Sequence, residues 1–181
     1  MTDCEIEIRS LDAGDVEAFL ALKRIGLASD PGSFVGSLDD DGPEYPDAVA
    51  RRLASCGIRA GDIVLGAFAP DLVGIIAITR GHHAKRAHKA DLHGMYVRAE
   101  FRGRGLGRRL LDRALADARL MAGLEEVQLI VATHNEAAAR LYQRYGFHID
   151  WTERHALRLA DRSVDAHHMT LNMRGTAAGS P

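Results

Sequence analysis

Residues 95–107 read MYVRAEFRGRGLG: an apolar strand end, a short polar turn, then glycines and arginines that open an amphipathic helix. Glycines let backbone N–H groups approach an anion with no Cβ in the way, and the following helix adds the positive end of its dipole. The order strand, glycine loop, helix is therefore an anion site. Downstream, Leu106, Leu110, Leu111, Ala114, Leu115 and Ala118 recur at helical spacing, while Arg109, Asp112, Arg113 and Arg119 fill the other side. Upstream, Leu92, Met95, Tyr96 and Val97 are apolar and β-prone, which predicts a strand buried on both faces that feeds into the loop.

Two familiar phosphate loops share this order and fail on spacing. Walker A needs Gly-Lys followed by Ser or Thr, and no lysine lies near the loop. The dinucleotide fingerprint GxGxxG ends on Arg108 when started at Gly103 and on Leu110 when started at Gly105. The spacing that fits is RxxGxG, as Arg102, Gly105 and Gly107. A second segment, VQLIVATHNEAAARLYQRYGFHI from Val127, gives an apolar strand, an Asn, a helix, a Gly stop and a new strand. Asn135 suits the N-cap, Glu136 the first turn, and Gly146 the helix end, within a pattern LYxxxGF at Leu141, Tyr142, Gly146 and Phe147.

Taken in order, these two segments resemble the acyl-CoA loop and the following strand and helix of the GNAT superfamily of N-acetyltransferases. The resemblance extends to most of the chain. Ile6 and Ile8 alternate as an opening strand before Leu11, Val16, Phe19, Leu20 and Leu22 repeat as a first helix that Asp12 is placed to cap. Glu44 to Cys56 reads as a second helix after the loop DDDGPEYPD. Strands follow at 62–68 and 72–79 around Pro70-Asp71, and a final antiparallel pair runs to Leu157 and from Ser163 to Met173 around Ala160-Asp161-Arg162. The fold class this implies is α/β (α+β): a mixed, mostly antiparallel sheet of about seven strands flanked by about four helices, with two parallel strands splayed at its centre.

Composition agrees with one domain over residues 1–173 and a disordered tail over 174–181, since 181 residues with 46% hydrophobic content suit a single core. MTDCEIEIRS is acidic and lacks the apolar core of a signal peptide, and no apolar run is long enough to span a bilayer, so a cytoplasmic protein is expected. Cys4 and Cys56 form neither a metal spacing nor a disulfide framework and read as free thiols. A net charge of −2 argues against general nucleic-acid binding, although Arg98, Arg102, Arg104, Arg108 and Arg109 concentrate around the loop. One or two of these arginines are expected on phosphate and the others on the surface.

The resemblance implies acetyl-CoA as cosubstrate and an amine as acceptor, in a monomer or homodimer, with no metal, nucleic acid or membrane as partner. It places the pyrophosphate on Arg102, Gly103, Arg104, Gly105, Leu106, Gly107 and Arg108, and the pantetheine arm along Met95, Tyr96 and Val97. Asn135, Ala138 and Tyr142 would flank that arm. The reaction implied is transfer of the acetyl group to a protein N-terminus, a lysine or a small amine by direct attack in a ternary complex. The other reading is a non-catalytic acyl-CoA-binding regulator.

An aliphatic amine with a pKa of about 10 is mostly protonated at neutral pH and must lose a proton before attacking the thioester. A backbone N–H in the strand bearing Met95 to Val97 is placed to stabilise the resulting oxyanion. The departing thiolate needs a proton, and Tyr142 stands where the resemblance places a general acid, with Tyr145 read as a core tyrosine. For the base, the resemblance implies a carboxylate eleven residues ahead of Arg102, which is Asp91 here, with His93 two further on and on the same strand face. Asp91, His93 and a water chain all stay open.

His82, His83, His88, His93 and the pair His167-His168 read as solvent-facing or hydrogen-bonded rather than metal-binding, because adjacent histidines in a strand point to opposite faces. The resemblance implies that the acceptor approaches over the first two helices and the final strand pair, here 28–56 and 151–164. There Asp39, Asp40, Asp41, Glu44 and Asp47 would attract a cationic amine or simply be solvated, and Trp151, the only tryptophan, would line the pocket or pack.

Overall fold

The computed structural model describes residues 6–31 and 45–174. Seven strands, β1 (Glu7–Ser10), β2 (Asp62–Ala69), β3 (Asp71–Arg80), β4 (Lys89–Val97), β5 (Glu126–Ala132), β6 (His148–Arg158) and β7 (Ser163–Asn172), form one sheet in the order β1-β2-β3-β4-β5-β7-β6. The helices are α1 (Val16–Ser29), α2 (Tyr45–Ser55), α3 (Leu106–Arg119) and α4 (Glu136–Arg144). Every strand pair is antiparallel except β4–β5. This is the mixed sheet with a central parallel pair that the sequence implied. Cys4, the acids at 39–44 and the tail lie outside the described residues, apart from Arg174, which pairs with Glu125.

The core has two layers because β2 and β3 are apolar on both faces. On one face Ile63, Leu65, Ile76 and Ile78 meet Leu106, Leu110, Leu111 and Ala114 of α3. On the other, Val64, Ile75, Ala77 and Tyr96 meet Leu20 and Leu22 of α1 and Leu53 of α2. Each fully buried leucine contributes about 1.5–3 kcal/mol, so α3 is anchored by its apolar stripe rather than by its own propensity.

The first helix begins later than its periodicity suggested, after a 3-10 turn at Ala13–Asp15. Asp12 caps that turn, accepting from Gly14 N–H at 2.7 Å, and Asp15 returns the bond by accepting from Asp12 N–H at 2.9 Å. Arg9 then clamps Asp15 with two bonds of 2.7 and 2.8 Å. Cys56 is a free, half-buried thiol donating to the Leu53 carbonyl, and burial raises its pKa.

Two irregularities make room at the centre of the sheet. The parallel β4–β5 ladder runs only from Lys89↔Glu126 to Asp91↔Gln128, and beyond it the strands splay. The β3–β4 register moves from Ala77↔His93 to Ile75↔Tyr96, so Ile76 stands against both Gly94 and Met95. That extra residue is a β-bulge, and Gly94 supplies the positive φ of 63° found there. Before the bulge Ala90 and Leu92 join the α3-side core; after it Met95 and Val97 do, while Tyr96 turns to the α1–α2 side. The apolar end of β4 thus packs on both faces as its composition predicted, but the stretch before it does not. Asp91, His93 and Gly94 are exposed; Asp91 still pairs with Gln128, while His93 and Gly94 lie beyond the parallel ladder.

Candidate active site

The splay opens a cleft of about 850 Å³. β4 contributes Leu92 to Val97, β5 contributes Ile130 to Ala132, and the N-terminal ends of α3 and α4 close the top. Asp30, just after α1, also lines the cleft and lies 3.8 Å from His134.

The glycine loop forms one wall. Gly103 and Gly105 take φ of 74° and 76°, left-handed values that favour glycine, and neither has an atom within 4 Å of where a Cβ would sit. The α3 ladder begins with Arg109 N–H donating to the Gly105 carbonyl at 3.0 Å, so the amides of residues 106–108 have no partner within the helix. Gly107 is small for another reason: a Cβ there would stand 3.0 Å from the Met95 methyl. Gly103, Gly105, Leu106, Gly107 and Arg108 all line the cleft with Arg102, whereas Arg104 does not.

The five arginines differ in what holds them. Arg98 pairs with Glu100, and Arg109 is committed to the Ile6 carbonyl at 2.8 Å. Arg102 donates to the Val97 carbonyl at 2.8 Å and lies over the Tyr96 ring at 5.4 Å. Arg108 sits 3.8 Å from Asp112 and is largely exposed. Arg102 and Arg108 are the two that reach the cleft.

Both α4 tyrosines pack against the core, Tyr142 more deeply than Tyr145. Tyr142 is only 5% exposed, packs edge-on against Phe147, and donates its hydroxyl to the Met95 sulfur at 3.3 Å. Desolvation pushes its phenol far above the ordinary value, so it stays protonated. Tyr145 is half-buried and donates to Asp112 at 2.5 Å, at the α3 wall of the cleft. On the same helix Asn135 accepts from Ala138 N–H at 3.2 Å as the N-cap, and both residues line the cleft.

Asp91 and His93 share one strand face, but only His93 lines the cleft. Its Nε2 lies 2.9 Å from Thr79 Oγ1, which donates to Asp62 at 2.9 Å; Asp62 is gripped by Arg52 with two bonds of 2.8 Å. Desolvation by the surrounding protein and then the Arg52 charge lower the His93 pKa, which keeps the ring neutral at pH 7. Thr79, Asp62 and Arg52 went unread in the sequence because they come from β3, β2 and α2. Strand register sets Asp62 opposite Thr79, and the packing of α2 adds Arg52.

On the far side Trp151 is 52% exposed and stacks on His168 at 3.8 Å, and His168 bonds Glu153 at 2.8 Å. Register aligns Ile130, His168 and Trp151 across three strands on one uncovered face. His167 turns to the other face and bonds Thr152 at 2.8 Å. Among the described residues no cluster of three His, Cys, Asp or Glu is placed to hold a metal. Asp47 lies in the first turn of α2.

The sequence model of the Acetyltransferase (GNAT) family matches residues 32–147, more than half of the chain. The N-alpha-acetyltransferase RimI of Mycobacterium tuberculosis is 36% identical over 119 residues, 63% of this chain and 65% of its own length. The chain spans between 25 and 65% of the length of the curated relatives it matches. A GNAT-family acetyltransferase structure from Streptococcus pneumoniae superposes with a TM-score of 0.80 at 27% identity, covering 93% of this chain and 99% of that one. The fold is also that of yncA from Salmonella typhimurium, solved with its cofactor acetyl-CoA (TM-score 0.75, 21% identity, 97% of this chain and 98% of that one). With its splayed parallel pair, glycine loop and capped α4 in one cleft, the chain belongs to the GNAT family of acetyltransferases.

Proposed function

We propose that residues 1–173 act as one cytoplasmic catalytic domain that moves an acetyl group from acetyl-CoA to a primary amine by direct attack in a ternary complex. The observation that carries this reading is a single cleft lined by the glycine loop, Tyr142 and His93. In that cleft the amides of residues 103–108 and the Arg102 and Arg108 guanidiniums receive the pyrophosphate. Arg104, outside the lining, adds only to the local field. The free edge of Met95, Tyr96 and Val97 pairs with pantetheine amides, while Asn135 and Ala138 flank the arm. No metal takes part.

His93 removes a proton from the acceptor ammonium, with Asp91 nearby to hold a relaying water. The neutral amine attacks the thioester carbon, and a β4 backbone N–H in the Met95–Val97 stretch stabilises the oxyanion. Collapse breaks the C–S bond. Tyr142 delivers a proton to the departing thiolate and is reprotonated from the amine nitrogen or solvent. The acceptor arrives past α1 and α2 over the uncovered face of Ile130, His168 and Trp151.

The test is incubation with acetyl-CoA and a panel of N-terminal peptides, lysine peptides and small amines, with products read by mass spectrometry. An N-acetylated product supports the reading. Saturable acetyl-CoA binding with no product from any amine supports a non-catalytic regulator instead.

A further inference from the structure

We propose that Thr79, Asp62 and Arg52 form a positioning chain that fixes His93 as its Nε2–H tautomer and leaves Nδ1 as the nitrogen that takes the acceptor's proton. The proposal rests on the acetyl-transfer reading above and adds to it which ring nitrogen works and what holds it.

One hydroxyl, that of Thr79, joins the chain to the ring. Thr79 Oγ1 has three partners: Asp62 Oδ1 at 2.9 Å, Arg52 Nη2 at 3.0 Å and His93 Nε2 at 2.9 Å. A threonine hydroxyl has one proton and two lone pairs. Burial works to raise the Asp62 pKa, but the Arg52 bonds and charge outweigh it and hold the carboxyl below its usual range, so Asp62 is ionised and can only accept. The hydroxyl proton therefore goes to Asp62. Arg52 can only donate and takes one lone pair, which leaves the other for His93, so Nε2 must carry the hydrogen. The opposite tautomer would set two lone pairs against each other at either Asp62 or His93. Arg52 reinforces the choice by gripping Asp62 at both oxygens, which stops the carboxylate from swinging away.

Nδ1 is then the unprotonated nitrogen, and it has no hydrogen-bond partner among the described residues although the ring lines the cleft. When it accepts the proton, the ring becomes an imidazolium with an N–H at each end. The charged groups facing it among the described residues are Arg52 from α2, Asp62 from β2 and Asp91 on β4. Arg52 favours the neutral ring before transfer; Asp62 and Asp91 favour the cation after it. Thr79 links the ring to Asp62 throughout, so the base needs no reorientation between the two states.

The experiment is long-range 1H–15N NMR of the full chain labelled on histidine, recorded at pH 8, with the His93 signals assigned by their loss in His93→Gln. The expected result is a single Nε2–H pattern in the wild type. In Thr79→Val, which replaces the hydroxyl by a methyl, that pattern gives way to a mixture and kcat falls about 10-fold or more, while KM for acetyl-CoA stays the same; Thr79→Ser restores both. Asp62→Asn removes a charge that favours the cation, so the acid limb of kcat/KM moves to lower pH, a shift that a packing role would not produce. An Nδ1–H pattern in the wild type overturns the proposal, as does Thr79→Val with unchanged turnover. If the wild type acetylates no amine, the acetyl-transfer reading fails while the tautomer result still stands or falls on its own.

Discussion

The Tyr142 hydroxyl donates to the Met95 sulfur at 3.3 Å, tying α4 to β4 across the splay. A thioether is a weak acceptor, so this bond is easily exchanged for one to an incoming thioester sulfur. Tyr142→Phe should therefore lower kcat about 100-fold while leaving acetyl-CoA affinity nearly intact. Stability should change by no more than about 1 kcal/mol, because only one weak bond is lost. Steady-state kinetics beside a urea titration would show this; unchanged turnover would remove Tyr142 as the general acid.

The loop makes a separate prediction. Gly105 has a φ of 76° and open space around its Cβ position, so Gly105→Asp fits sterically at a backbone cost of about 1–2 kcal/mol. Its charge would face the pyrophosphate. The variant should fold but lose the rise in Tm that acetyl-CoA gives, a rise worth about 2.7 kcal/mol at 100 times Kd in the wild type. A folded variant with normal affinity would contradict the loop assignment.

The pH dependence follows from His93, whose pKa in the folded protein lies below the ordinary 6.5 because burial and then Arg52 disfavour the charged ring. A base works when neutral, so kcat/KM should be at its plateau at pH 7 and fall as pH drops through that lowered value. The acid limb should vanish in His93→Gln, with a loss of about 100-fold at the plateau, and persist in Asp91→Asn. Persistence of the limb in His93→Gln would move the base elsewhere. The same shift bears on stability: a depressed folded pKa contributes stability that is present above the unfolded value and lost as pH falls through the folded one.

Arg9 and Asp15 test the fold without touching the cleft. Asp15 is 9% exposed, and its pKa is lowered first by the Arg9 hydrogen bond, with burial working against that. Asp15→Ala removes this clamp and the return bond to Asp12 N–H, and should cost about 1–2 kcal/mol in urea unfolding at pH 7. The depressed pKa places the contribution above the ordinary value of 3.8 and removes it as pH falls below that. The wild-type advantage over Asp15→Ala should thus shrink at low pH; an advantage independent of pH would mean that the carboxylate charge is not its source.

Much of this architecture was legible because it is local. Six apolar positions at helical spacing set α3, and Asn135 with Gly146 set the ends of α4, since caps and periodicity act within a turn or two. The glycine loop could be told from nucleotide loops by spacing alone. The bulge at Gly94 could not, because it exists only as a mismatch with β3, where Ile76 stands against Gly94 and Met95 together. The different depths of Tyr142 and Tyr145 could not be read either: both sit on the inner side of α4, and the bond from Tyr145 to Asp112 depends on where α3 packs. The partners of His93 come from three other elements, and their meeting is a property of strand register and helix packing rather than of any stretch of sequence.

The most direct test of the account is the initial rate of CoA thiol release from acetyl-CoA with and without amine acceptors, matched against N-acetylated product, for the wild type and Tyr142→Phe. Release that requires an acceptor, equals product mole for mole, and falls about 100-fold in the variant is the predicted result. Tight acetyl-CoA binding with no acceptor-dependent thiol release from any amine would contradict it.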